Sequence, residues 1–213
     1  MRIFADRREA GRELAAKLSA YQDRDGVVVL GLPRGGVVVA FEVAEALHAP
    51  LDVYMVRKLG MPGQEELAFG AIASGGVRVL NPEVIQAAGL QQAEMDAVAA
   101  REGAELERRE RLYRGDSPPL ALGGKTVILV DDGLATGASM RTAIVSLESH
   151  RPAWVTMAVP AAPQSTCRDL EREVDEAVCV LTPEPFFSVG QWYVDFSQTS
   201  DAEVIDILRR SRR

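Results

Sequence analysis

Residues 127–139 read VILVDDGLATGAS. Val127, Ile128, Leu129 and Val130 form the short, largely β-branched apolar run of a strand buried on both faces, and the run ends on Asp131 and Asp132. Small and polar residues follow, and Thr136, Gly137 and Ser139 lie where a loop turns into a helix. A strand passing to a helix through such a loop is the unit of a parallel α/β sheet, whose ligands sit beyond the carboxyl ends of the strands. Two neighbouring carboxylates there need a partner, because a buried unpaired charge costs several kcal/mol.

The rest of the chain repeats this alternation. Upstream, Asp6 followed by Glu9 reads as a capping-box variant opening a helix to about residue 20. GVVVLGL (26–32) is a buried strand, PRGG (33–36) a turn, 37–49 a helix and LDVYMV (51–56) the next strand. RKLGMPGQEELAFG (57–70) shows no clear period and is expected to be a long exposed loop. AIAS and VRVL, around Gly75 and Gly76, suit a hairpin. Residues 82–114 read as helix interrupted at Gly89, with Met95, Val98, Ala99, Glu102, Leu106, Arg109 and Tyr113 at helical spacing. The charged part of that segment, 101–111, reads as a solvated face. After the opening stretch come a helix (138–149), strand (153–160), helix (163–173), strand (176–182), an aromatic tail and a last helix near 202–211. The expected fold is a single α/β domain over 1–213, with a doubly wound parallel sheet and a helical insertion at about 82–114.

Composition narrows the function. With 47% hydrophobic residues over 213, the chain can bury a full core. The formal charge of -7 argues against a general binder of nucleic acid or anionic membrane, so any anionic ligand must be held locally. The start carries no continuous apolar segment and no stretch is long enough to span a membrane, which makes a cytoplasmic protein the expectation. Cys167 and Cys179 lack redox or zinc spacing, and with His48 and His150 they are expected to be packing or surface residues. GGKT (123–126) precedes a strand and lacks the upstream glycine of a P-loop.

Three loops carry complementary chemistry. Exposed amides and hydroxyls around Thr136, Gly137 and Ser139 suit a phosphate monoester. Asp131 and Asp132 suit vicinal hydroxyls, or a Mg²⁺ that the ligand carries. Arg34 beside Gly35 and Gly36 suits a second anionic group, and Arg57 and Lys58 add positive charge. The implied ligand has a phosphate at one end, a diol in the middle and a polyanion at the other.

That ligand is phosphoribosyl pyrophosphate, and VILVDDGLATGAS resembles the thirteen-residue signature of type I phosphoribosyltransferases, nearest to the adenine and orotate branches. GLPRGG resembles that family's pyrophosphate loop, and VRKLGMPG resembles the entry to the mobile catalytic loop of the adenine enzymes. The resemblance implies that Asp131 and Asp132 contact the ribose hydroxyls and that Ala135, Thr136, Gly137, Ala138 and Ser139 cradle the 5′-phosphate, with Gly133 also at the substrate. It implies that Arg34, Gly35 and Gly36 meet the pyrophosphate and that the loop from Arg57 to Gly70 closes over the site. Lys58 and an acid, Glu65 or Glu66, would serve catalysis from that loop.

The tail FFSVGQWYVDF (186–196) is similar to the hypoxanthine-guanine enzymes' closing motif, one residue longer. By that likeness Phe187 would stack on the base, Asp195 would lie near Mg²⁺, and residues from about 183 to 213 would form a small hood. Ala135 stands where those enzymes carry an Asp, and no base-reading Lys follows, so 6-oxopurine acceptors are not implied. The reaction implied is Mg²⁺-dependent displacement of pyrophosphate by an unidentified nucleobase-like acceptor. The alternatives are a phosphoribosyl-pyrophosphate-binding regulator without turnover and a sugar-phosphate hydrolase. Helices 82–114 are open to a role as hood or homodimer contact.

Overall fold

The computed structural model describes residues 2–212, with the side chain of Glu66 outside the described set. Helix α1 (Arg7–Lys17), strand β1 (Val27–Gly31), helix α2 (Gly35–Leu47) and strand β2 (Leu51–Val53) come first. Strands β3 (Val56–Met61), β4 (Gln64–Ala73) and β5 (Val77–Leu80) lead to helices α3 (Pro82–Ala88) and α4 (Gln92–Arg114). The second half is β6 (Thr126–Val130), α5 (Ala138–Leu147), β7 (Trp154–Ala161), α6 (Gln164–Glu171), β8 (Glu176–Leu181) and α7 (Asp201–Ser211).

Five strands form one parallel sheet in the order β2-β1-β6-β7-β8. Strand alternation divides the apolar runs between two cores. Val27, Val29, Ile128 and Val130 pack with α1, α2 and α7, whereas Val28, Leu30, Val127 and Leu129 pack with α5 and α6. The crossover from β1 therefore runs on one face and that from β6 on the other. Between two such strands the sheet opens a crevice at its carboxyl end, and the acid pair lies there.

The loop expected over 57–70 is instead a β-hairpin. Leu59 and Phe69 are fully buried against the α4 side of the core, so the segment has an inward face. Pro62 and Gly63 make its two-residue turn between the paired Met61 and Gln64, with Gly63 at φ 78° as a Pro-Gly turn requires. Register shifts around Gly60 break the alternation that would have marked the strand. Strand β5 adds to β4, so the expected hairpin at 71–80 is one side of a three-stranded antiparallel sheet.

Helices α3 and α4 break at Gly89, which caps α3 in the left-handed conformation. Met95, Val98, Ala99, Leu106 and Tyr113 are buried on one face of α4. The tail is stitched to the N-terminal segment: Phe4 donates to the Trp192 carbonyl, and Val194 and Asp195 donate to Phe4 and Ala5. Phe4, Trp192 and Tyr193 form a small third core with Ala161 at the end of β7. Beyond that tail, Val204, Ile207 and Leu208 of α7 belong to the main core with α2.

Cys167 on α6 and Cys179 on β8 pack, partly buried, against the second core, as expected of packing residues, and are in addition joined in a disulfide. Their spacing carries no signal because the fold, not the local sequence, brings a helix and the adjacent strand together. Disulfides persist mainly in oxidising compartments, so this pair runs against the cytoplasmic expectation. Among the described residues no helix is long and apolar enough to cross a membrane.

Candidate functional site

The partner that the acid pair requires comes from the start of the chain. Arg7 Nε donates to Asp132 Oδ2 at 2.8 Å, and both side chains are mostly buried, at 11% and 16% exposure. The same guanidinium donates to the Ser197 carbonyl and lies 3.9 Å over the Phe196 ring, so the tail holds Arg7 in place. Tyr193 donates its hydroxyl to the Asp132 carbonyl. Asp131 Oδ1 accepts the Asp132 amide at 2.8 Å. Burial, and then the charge of Asp132, pushes the Asp131 carboxyl well above the usual carboxylate range. Burial raises Asp132 as well, and Arg7 opposes part of that rise.

Gly35 and Gly36 open α2 directly beneath these acids. A Cβ on Gly35 would lie 1.9 Å from Asp132 Oδ2, and one on Gly36 would lie 2.8 Å from the Asp131 Cα and 2.9 Å from the Val130 carbonyl oxygen. The second clash is with backbone, which cannot swing away. Helix propensity favours Ala over Gly by roughly 1 kcal/mol, but overpacking costs about 1–3 kcal/mol and here also displaces the acids. Gly36→Ala is therefore expected to lower stability by about 1–2 kcal/mol in a urea titration. A variant at least as stable as the parent would show that this contact is not tight.

Across the crevice, Gly137 at φ 72° opens α5 with no side-chain cap. Thr166 and Leu170 of α6 lie 3.0 Å from where its Cβ would be, so the turn is pressed against α6. Thr136, Ala138 and Ser139 are exposed. The Ala138 amide makes one long contact, 3.4 Å, to Thr136 Oγ1, and the amides that follow it in the first turn of α5 have no side-chain cap and can meet an anion at the positive end of the helix. Gly133 packs against Val189 of the tail.

A cavity of about 150 Å³ joins the two sides, with Arg34, Arg57, Asp131 and Ser139 in its lining. Arg34 lies 3.5 Å from Asp201 and Arg57 donates twice to Glu102. Burial raises Glu102, but Arg57 and Arg101 outweigh it and hold the carboxyl below its ordinary range. Lys58 is exposed on β3 and lines a neighbouring cleft of about 710 Å³ that shares Ser139. Glu65 is exposed and lines neither cavity, and the Glu66 side chain lies outside the described residues. Phe187 is 82% exposed and also lines neither. Asp195 accepts from the Ser197 amide, which holds its carboxyl low, and it faces a separate small pocket beside Arg7. Among the described residues, no three His, Cys, Asp or Glu side chains cluster to hold a metal.

Arg7, Arg109, Tyr113 and Tyr193 went unassigned to the site in the sequence. Arg109 and Tyr113 had a signal, since they share the helical face with Glu102. Arg7 had none, being 125 residues from its partner.

The acid pair thus sits at a switch-point crevice, with Asp131 lining a cavity that arginines share and the start of α5 close by. Residues 4–193 match the family described as the phosphoribosyl transferase domain, and the chain belongs to that family. Over all 213 residues it is 49% identical to a Mycobacterium tuberculosis protein bearing a provisional phosphoribosyl transferase name, and it spans only 48% of that protein. It is 30% identical over 129 residues to the bifunctional protein PyrR of Chloroflexus aurantiacus, covering 59% of this chain and 65% of that one. The crystal structure of TT1426 from Thermus thermophilus superposes with a TM-score of 0.85 at 43% identity, over 99% of both chains.

Proposed function

We propose that the chain transfers the 5-phosphoribosyl group of phosphoribosyl pyrophosphate to a nitrogenous, nucleobase-like acceptor, releasing pyrophosphate. The observation that carries this reading is the single cavity shared by Arg34, Arg57, Asp131 and Ser139, at the meeting point of the β1–α2 and β6–α5 loops. In this reading the 5′-phosphate rests on the α5 amides and the ribose diol donates to Asp131 and Asp132. Arg34 and Arg57 take the pyrophosphate as the anomeric C–O bond breaks and the acceptor nitrogen forms the new C–N bond. The charge that grows on the leaving group meets fixed cations, which is where rate is gained. Mg²⁺, when bound, would neutralise the pyrophosphate; one or two protein carboxylates match an ion that the ligand brings with it. Lys58 and an acid from the hairpin, Glu65 or Glu66, complete the machinery, in a cytoplasmic setting where the Cys167–Cys179 pair would be held as thiols.

The second reading, a regulator that binds without turnover, is favoured by one observation: Lys58 lines the neighbouring cleft while Asp131 lines the cavity. Calorimetry with phosphoribosyl pyrophosphate and Mg²⁺, alongside pyrophosphate release across a panel of nucleobases, separates the two. Binding with acceptor-dependent release is the expected result. Binding without release for any acceptor selects the regulator, release of ribose phosphate without acceptor selects a hydrolase, and no binding rejects the transferase and the regulator.

A further inference from the structure

We propose that helix α4, the insertion before the signature, is part of the pyrophosphate site, and that Arg109 binds the leaving group directly. The inference rests on the phosphoribosyl-pyrophosphate reading above. Arg109 and Tyr113 line the same 150 Å³ cavity as Arg34, Arg57 and Asp131, so arginines from three separate elements share it. Each arginine has one carboxylate partner, Asp201, Glu102 or Glu105, and a diphosphate offers acceptors to the N–H groups those pairs leave, on more than one fork at a time.

The helix is fixed to hold this geometry. Glu102, Arg109 and Tyr113, seven and then four residues apart, lie on one face. Glu102 accepts from Nε and Nη2 of Arg57, and Tyr113 donates at 2.7 Å to Asp201, the carboxylate that pairs with Arg34. One residue further on, Arg114 is buried and donates to Asp52 at 2.9 and 3.0 Å and to the Val53 carbonyl at 2.8 Å. That anchor ties the end of α4 to the sheet edge at β2. Arg109 itself gives only its Nε, at 2.8 Å, to Glu105, a surface carboxylate that Arg108 also engages. Its remaining N–H groups have no protein acceptor among the described residues, so they are free for a ligand.

The test is calorimetry on the full chain with Mg²⁺-pyrophosphate and, separately, with ribose 5-phosphate. Arg109→Ala is expected to weaken pyrophosphate binding about tenfold or more while ribose 5-phosphate stays within about twofold. Arg109→Lys keeps the charge without the fork and is expected to lose less. Glu105→Gln removes the helix-surface pair and is expected to leave both affinities within about twofold. The inference is overturned if Arg109→Ala binds pyrophosphate as the parent does, if it loses both ligands equally, or if Glu105→Gln reproduces its loss. A parent that binds neither ligand overturns the underlying reading as well, whereas a parent that binds both beside an unaffected Arg109→Ala overturns this assignment alone.

Discussion

Replacing Asp131 and Asp132 together by Asn is expected to weaken phosphoribosyl pyrophosphate binding by roughly 3–6 kcal/mol, since two charge-assisted hydrogen bonds of about 1.5–3 kcal/mol each are lost. Asn keeps a carbonyl oxygen in nearly the same place, so shape is preserved and the loss isolates charge. The free protein should respond in the opposite sense to one of these changes. Burial and the neighbouring charge hold the Asp131 carboxyl above its usual range, so the fold favours its neutral form. Its contribution to stability is fully present below the unfolded-state value of about 3.9 and is lost as pH rises through the higher folded value. Asp131→Asn alone should therefore melt higher than the parent at neutral pH, with an advantage that shrinks toward pH 4. Ligand binding runs the other way: the parent's affinity should fall on acidification at a pH above the ordinary carboxylate range, and the variant, which keeps only Asp132 to titrate, should lose less. Unchanged affinity in the double variant would reject the diol assignment.

Arg7→Ala is expected to cost about 3–5 kcal/mol, as breaking a mostly buried ion pair leaves the other charge without a partner. At this chain length that is a melting temperature lower by roughly 10 °C. Arg7 also supplies the hydrogen bond to Ser197 and the contact with Phe196, so its loss should loosen the tail at the same time. Without the guanidinium, the pKa of Asp132 rises further above its unfolded value, so the variant's deficit should narrow as pH falls and the acid is neutralised. Adding Asp132→Asn to Arg7→Ala should recover part of the stability, because the buried charge is then gone. A drop of less than 1 kcal/mol, or no recovery in the double variant, would mean that Arg7 is not what pays for the acid pair.

These two residues mark what was legible in the sequence. The acid pair is readable because continuous apolar runs such as VVVLG and TVILV announce buried strands, and the loop after the second combines acids with a Thr-Gly turn. Its counter-charge is not, because pairing between a first-helix arginine and an aspartate at a strand end has neither period nor spacing. The hairpin at 57–70 escaped for a local reason: three glycines and the shifts at Gly60 hide an alternation that only the buried Leu59 and Phe69 reveal. The spacing puts Arg109 on the right helical face, but its run of charges reads as solvent-facing, because a helix crowded with ion pairs looks solvated until its packing partner is known. The disulfide belongs to the same class of long-range facts.

The most direct measurement is a crystal structure of the protein with Mg²⁺ and phosphoribosyl pyrophosphate. The 5′-phosphate is expected on the amides of Ala138 and Ser139, the ribose hydroxyls within hydrogen-bond distance of Asp131 and Asp132, and the pyrophosphate among Arg34, Arg57 and Arg109. Ligand density elsewhere, or a saturated crystal with that crevice still filled by solvent, would contradict it.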